Sequence, residues 1–323
     1  MSFDPDVVRL FAQLQQSGQP AMDTLPIEGA RAMMRALGAQ LGFPRVEMAQ
    51  VRDLHADTAA GPVRLRLYRP SDLAPGPAPT CLFVHGGGGV VGDLDSHDDV
   101  CRQLAARAGC QLLAVDYRLA PEHPAPAGVE DVIATLQWLL AQPDTVGADV
   151  QRLAIAGDSI GGAMAAVAAL AARDAGIALR CQVLVYPLTD AREDTGVYPS
   201  RSHNAGLPPL TAEAVRFFNR HLLPDPAIAQ DWRVSPMLVP DVAGVAPALV
   251  VVGDRDMLCD EGRAYAERLR AAGVEVTLHS FPGMIHGFIN MGGVLRAADE
   301  TLALAALVLR QRLLPAIGRW ASD

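Results

Sequence analysis

The sequence predicts an α/β protein built on a mostly parallel sheet. Three observations lead there. Short, continuously apolar runs at residues 81–84, 112–115, 153–156 and 248–252, and a mostly apolar one at 181–185, read as buried strands. Helix-length segments separate most of them. Several of the runs stop at polar, Gly-, Asp- or His-bearing turns, at the carboxyl edge where such sheets bind ligands. With 323 residues, half of them hydrophobic, the chain can bury a substantial core as one large domain or two small ones.

Taken in order, residues 1–44 read as helical. Val7, Val8, Phe11 and Leu14 recur at helical spacing, as do Ala30, Met33, Met34 and Leu37, with a Gly/Pro break at residues 18–20. They are read either as helices packed on a core or as part of a lid. From Val46 the pattern changes, and residues 63–68 alternate apolar and polar as a strand with one wet face does. A Pro/Ala-rich loop is expected over residues 70–79, ahead of the first central strand.

That strand runs into His85-Gly86-Gly87-Gly88-Gly89. Four consecutive glycines are costly to order. Their use is bare backbone that can approach a ligand and turn N–H groups toward it. No Gly-Lys-Ser/Thr follows, so a phosphate loop is not indicated. Asp95, Ser96 or His97 is expected to cap a helix over residues 98–107. The proline-rich stretch 116–127 reads as a rigid loop in which Glu122 and His123 are structural. A helix over residues 129–140 follows, with Trp138 on its apolar face.

Residues 150–162 then bring a strand straight into a helix through Gly157-Asp158-Ser159-Ile160-Gly161. A serine on so sharp a turn is forced into a strained conformation with Oγ exposed, and the flanking glycines avoid a Cβ collision. The turn also sets Ser159 at a helix N-terminus, which favours a developing oxyanion. Some sixty residues separate the strand at 181–185 from the one at 248–252. That exceeds a simple crossover and, with one amphipathic helix at 212–223, reads as a substrate-facing insertion. A last strand is expected at 274–278 and an apolar terminal helix at 302–314.

Composition excludes several classes. The formal net charge is −9, which argues against non-specific nucleic-acid binding or adhesion to anionic membranes. All 27 basic residues are Arg, so a Schiff-base lysine and a Ser–Lys dyad are ruled out. Cys81, Cys101, Cys110, Cys181 and Cys259 have no metal-type spacing and read as buried small hydrophobes; no metal site is expected. The longest apolar run is too short to span a bilayer, so no stable membrane insertion is expected. The first residues do not follow signal-peptide order, and a cytoplasmic location is expected.

The sheet topology gathers the His85 loop, Ser159, Asp256 and His286 at one edge. A serine hydroxyl needs a neighbouring base, and His286 titrates in the useful range. A carboxylate should fix its tautomer. Asp256 is chosen for that role; Asp254 sits closer to its strand, Asp260 and Glu261 are expected to cap and begin a helix, and Asp190 is a weaker rival. The N–H groups of Gly87, Gly88 and Ile160 are the expected oxyanion donors. His85, Gly86, Gly89 and Asp158 are motif residues supporting the site.

With these residues in view, the chain resembles the α/β-hydrolase esterases similar to hormone-sensitive lipase, also called bacterial family IV. His85–Gly88 match its H-G-G-G motif, residues 116–127 its D-Y-R-L-A-P-E-H-P-x-P-A, and residues 157–162 its G-D-S-A-G-G except at Ile160. Residues 256–262 match D-x-L-x-D-E-G and 286–288 match H-G-F. The resemblance runs from about Val46 to the C-terminus. It implies the α/β-hydrolase fold: an eight-stranded, mainly parallel sheet with flanking helices and a helical cap. The expected division is cap helices at 1–44, core at 45–188, cap insertion at 189–245 and core at 246–323. It also implies hydrolysis of short- to medium-chain carboxylic esters with no cofactor, and a homodimer through the last strand. An amidase with the same triad and a non-catalytic receptor are the alternatives. Two positions depart from the pattern. Ile160 stands where Ala is usual and is expected to crowd the acyl pocket or shift the turn. Gly89 stands where an aromatic residue is common and is expected to widen the pocket or loosen the loop.

Overall fold

The computed structural model describes residues 2–193 and 196–314; the ends of the expected core segment (315–323), two residues of the expected insertion, and Met1 lie outside them. Helices α1 (Pro5–Ser17) and α2 (Ile27–Leu41) come first. Strands β1 (Gln50–Thr58), β2 (Gly61–Arg69) and β3 (Ala78–Val84) follow, then α3 (Asp98–Ala108), β4 (Gln111–Asp116), α4 (Ala127–Ala141), β5 (Ala148–Asp158), α5 (Ile160–Asp174) and β6 (Leu179–Val185). The segment between sheet strands carries α6 (Pro199–His203) and α7 (Ala212–Leu222), after which come β7 (Ala248–Gly253), α8 (Cys259–Ala271), β8 (Val276–Phe281) and α9 (Arg296–Leu313).

The eight strands form one sheet in the order β1-β2-β4-β3-β5-β6-β7-β8. β2 is antiparallel to both β1 and β4, and every other pairing is parallel. Period-2 alternation sends adjacent side chains to opposite cores. Leu82, Val84, Leu113, Ile155 and Val250 pack with α4, α5 and α8. Cys81, Phe83, Leu112, Ala154 and Val251 pack with α3 and α9. All five cysteines are buried. Helix α5 is rich in Ala and Gly and is buried along most of its length, so its backbone lies close to the sheet at the Ser159 turn.

One strand was not foreseen and two expectations are corrected. β1 was not legible as a strand, because it is an edge strand exposed over most of its length and lacks apolar alternation. The loop expected to reach residue 79 gives way to β3 at Ala78. The last strand lies two to three residues later than expected, at Val276–Phe281. It too is an edge strand with an exposed face, and Val274 belongs instead to the turn that closes on Leu269.

Candidate active site

Between the end of β5 and the start of α5 stands one residue, Ser159, with φ 56° and ψ −124°. A non-glycine residue held there stores about 1–3 kcal/mol of strain. Backbone bonds over-determine it: the Ser159 N–H donates to the Val185 carbonyl at 2.9 Å, and the Ser159 carbonyl accepts from the Leu188 N–H at 3.1 Å. The turn is tight enough to require glycine on both sides. A Cβ at Gly157 would lie 2.3 Å from the Gly161 carbonyl oxygen, and one at Gly161 would lie 2.2 Å from that of Val84.

The loops after β7 and β8 bring two further side chains to this turn. His286 Nε2 lies 2.9 Å from Ser159 Oγ, and His286 Nδ1 lies 2.6 Å from Asp256 Oδ2. A carboxylate can only accept, so Nδ1 carries the proton and Nε2 is left to accept from the serine hydroxyl. Asp256 is buried, and its other oxygen accepts the Leu258 N–H at 2.9 Å. The Asn204 side-chain amide, just after α6, donates to the Asp256 carbonyl at 2.9 Å. The His286 ring leans on Tyr186, with centroids 4.6 Å apart.

The rival carboxylates are placed elsewhere. Asp190 holds Arg192 through both oxygens and accepts from Tyr198. Asp254 accepts the Gly283 N–H at 2.6 Å. Asp260 and Glu261 were expected to cap and begin a helix; both stand in the first turn of α8, but α8 has no side-chain cap. Both side chains reach outward instead: Asp260 accepts the Ser200 N–H at 2.7 Å, and Glu261 pairs with Arg201 at 2.6 Å and accepts the Thr189 N–H at 2.8 Å. These contacts fasten the segment after β6 to the core.

The glycine loop folds back over the same turn. The Gly86 N–H is taken by Asp158 Oδ1 at 2.8 Å. Gly87, at φ 120°, has its carbonyl engaged by the Val90 and Val91 N–H groups at 3.1 and 2.9 Å. Among the described residues the N–H groups of Gly87, Gly88 and Ile160 meet no backbone acceptor. His85 is buried under the loop, its ring stacked on Tyr117 with centroids 4.3 Å apart. Burial, reinforced by the neighbouring His97, lowers its pKa to about 4, so it is neutral. Arg31 of α2 braces the loop from outside, bonding the Val90 and Ala120 carbonyls and Glu122. That contact makes Glu122 structural, as expected.

Helix α7 covers the glycines. A Cβ on Gly88 would meet the Phe218 ring at 2.4 Å, and one on Gly89 would meet Leu222 Cδ1 at 2.7 Å. The space an aromatic residue would take at position 89 is therefore filled by Leu222. The loop is not loosened there: the Gly89 carbonyl accepts the Ala120 N–H at 2.8 Å. Ile160 leaves the turn intact. Its side chain is buried and lines a mostly apolar cavity with Gly89, Ala163, Met164, Leu222 and Val234, with His123 also on its wall.

Sequence reasoning missed three participants. His97 was weighed only as a helix cap; it occupies the cap position but makes no capping bond, and points instead to Asp158. Asn290, in the 3-10 turn Phe288–Asn290, reaches His97. Tyr186, at φ 37°, touches both Asp158 and His286. The buried polar pair Ser96-His97 beside a glycine loop was the available signal. Among the described residues, no group of three or more His, Cys, Asp or Glu side chains is placed to hold a metal ion.

A strained serine between a parallel strand and a helix, with histidine and aspartate from the loops of two later strands, defines a serine hydrolase on the α/β-hydrolase fold. Comparison with known proteins agrees. A family model for the alpha/beta hydrolase fold matches residues 81–290. The chain is 38% identical to an ethyl acetate hydrolase of Pseudomonas putida, over 97% of this chain and 100% of that one. It is 40% identical to Esterase LipI of Mycobacterium tuberculosis, over 88% of each chain. Among solved structures, an α/β hydrolase from the metagenome of Lake Arreo superposes with TM-score 0.90 at 37% identity, covering 96% of this chain and 98% of that one. An esterase of Pyrobaculum calidifontis gives 0.87 at 33%, covering 96% and 98%. The chain belongs to the α/β-hydrolase family, in the hormone-sensitive-lipase-like group of esterases.

Proposed function

We propose that this protein is a serine carboxylesterase acting on small esters of short to medium acyl chain, with Ser159, His286 and Asp256 as its triad. The observation that carries this reading is the continuous chain Asp256–His286–Ser159, at 2.6 and 2.9 Å, ending on a serine held at positive φ. Ser159 Oγ attacks the ester carbonyl while His286 Nε2 takes its proton. Asp256 stabilises the imidazolium that forms. The N–H groups of Gly87, Gly88 and Ile160 receive the oxyanion; losing one such donor typically costs about 3 kcal/mol of transition-state stabilisation. His286 returns the proton to the leaving alcohol, and water, activated by the same histidine, releases the acyl group.

The apolar pocket supports a small ester. Ile160, Met164 and Leu222 close an apolar wall beside the glycine loop, which suits a short acyl chain. The named relatives are consistent with this, one being an ethyl acetate hydrolase. Residues 1–44 and 189–245 act as the cap, a reading supported by Phe218 and Leu222 over the loop and by Arg31 behind it. β8 ends the sheet with an exposed edge, which supports pairing with a second copy. No helix among the described residues is long and apolar enough to cross a membrane. Five free, buried cysteines support a reducing, cytoplasmic setting.

The test is a series of p-nitrophenyl esters of increasing acyl length, run beside matched anilides, with the wild type and Ser159→Ala. Ester turnover that peaks at short chains and vanishes in Ser159→Ala is expected. Preference for the anilides would reassign the enzyme as an amidase, and activity surviving in Ser159→Ala would reject the triad.

A further inference from the structure

Joined to the reacting groups through Tyr186 is a buried polar cluster that the mechanism above does not use. At its centre is His97, whose side chain is 1% exposed. Its Nδ1 lies 2.9 Å from Ser96 Oγ, and its Nε2 lies 3.0 Å from the Asn290 side-chain amide and 3.3 Å from Asp158 Oδ1. The partners come from three loops: Asp158 precedes the nucleophile, Asn290 follows the catalytic histidine, and Ser96 lies just past the glycine loop.

The protons can be assigned by counting donors and acceptors. Ser96 Oγ donates to the Asp93 carbonyl at 2.9 Å and accepts the Asp93 N–H at 2.9 Å. Its one proton is spent, so His97 Nδ1 must be the donor to it. At Nε2 the decisive neighbour is Asp158, a carboxylate 3% exposed that accepts the Gly86 N–H and the Tyr186 hydroxyl. Among the described residues its ion-pair contact is His97. His85 is buried and neutral, and its ring faces His97 from the end of β3. A neutral His97 would aim the Nε2 lone pair at a buried carboxylate and leave Asp158 without a counter-charge, an arrangement that costs several kcal/mol by general experience with buried ions. A proton on Nε2 removes both penalties. It also fixes the Asn290 amide with its oxygen toward His97. That orientation exchanges the two amide ends, whose oxygen otherwise has no partner.

We propose that His97 is an imidazolium in the working enzyme, and that this buried cation is a positioning residue registering the oxyanion loop, the nucleophile turn and the histidine loop against one another. The first link is direct: His97 holds Asp158, and Asp158 holds the Gly86 N–H at the root of the loop that presents Gly87 and Gly88. The second runs through Asn290, which ties the Phe288–Asn290 turn, two residues past His286, to the same ring. The third runs through Tyr186, whose hydroxyl reaches Asp158 while its ring supports His286. In line with this, the Asp158 carboxyl is held below its usual range: burial pushes it up, but the His97 charge and hydrogen bond, with the Gly86 N–H, outweigh that. The role of these links rests on the esterase reading; the charge on His97 does not.

Nitrogen-15 NMR of the histidine side chains at neutral pH tests the charge in the unaltered enzyme. His97 is expected to show both ring nitrogens protonated, and one protonated nitrogen would overturn the proposal. His97→Gln keeps a donor toward Asp158 but carries no charge. It is expected to lose about 10- to 100-fold in kcat with KM within about twofold, as a misregistered site does. A folded His97→Gln with unchanged kcat, or one altered in KM alone, would overturn the positioning role. Asn290→Ala gives the same reading if His97→Gln does not fold: kcat should fall, and an unchanged kcat contradicts the link. Wild type without ester turnover would instead defeat the esterase reading, while the NMR result would stand.

Discussion

Arg201 of α6 and Glu261 of α8 form an ion pair at 2.6 Å in which the Glu261 side chain is fully buried. The same guanidinium also bonds the Asp190 and Arg192 carbonyls. One pair thus pins the segment that carries α6 and α7 to the helix that follows Asp256. Burial pushes the Glu261 carboxyl up, and Arg201 with the Thr189 and Asp190 N–H groups pulls it back only in part. Removing the arginine leaves that carboxylate without its cation. Arg201→Met is expected to lower unfolding free energy by about 3–5 kcal/mol, read by urea denaturation. Replacing Glu261 by Gln in the Arg201→Met background should recover much of the loss.

His85 gives the protein an acid-sensitive core. Its pKa lies at about 4 when folded, against 6.5 for a free imidazole, because burial disfavours the charged ring. Its Nδ1 is committed to the Gly86 carbonyl at 2.8 Å, and among the described residues its Nε2 has no hydrogen-bond partner. The unfolded chain therefore binds this proton more readily than the folded one. Stability from this group is complete above about 6.5 and falls as pH drops toward 4, by an amount on the order of 3 kcal/mol. Denaturation midpoints across that window should show the fall, and His85→Gln should flatten it.

Gly87 lies where the glycine loop turns, at φ 120°, and a Cβ there would lie 2.1 Å from the Val91 carbonyl oxygen. Gly87→Ala must therefore open the turn and displace its N–H. A drop of about 10²–10³ in kcat is expected, as when one oxyanion donor is lost. Steady-state kinetics on a p-nitrophenyl ester would measure it, with circular dichroism confirming the fold.

Ile160 lines the apolar cavity together with Met164 and Leu222. Ile160→Ala is expected to raise kcat/KM for a hexanoyl over an acetyl ester by at least about tenfold, since even one more methylene accommodated is worth about 1–3 kcal/mol. The Ser159 turn should tolerate the change, because glycines and backbone bonds hold it rather than the Ile160 side chain.

Most of the sheet and the Ser159, Asp256 and His286 cluster was legible in the sequence, because the central strands are mostly apolar runs that stop where chemistry begins. Ser159 and the glycine loop carry backbone constraints that only a few residue types satisfy. β1 was not legible, since an exposed edge strand needs no apolar pattern. The roles of Asp260 and Glu261 were misread for a different reason: an acidic pair at a helix start fits a local cap, and only the packing of α6 reveals partners some sixty residues away. His97 and Asn290 are 193 positions apart, and no local pattern joins them. The same holds for Leu222, which fills the space above Gly89 from a separate helix.

The most direct test of the catalytic chain is titration with diethyl p-nitrophenyl phosphate, followed by peptide mapping. One equivalent of p-nitrophenol should be released per chain, with the diethylphosphoryl group on Ser159, complete loss of ester turnover, and no labelling in Ser159→Ala. His286→Ala should label far more slowly at the same serine. A label on any other residue, or ester turnover that survives stoichiometric modification of Ser159, would contradict the assignment.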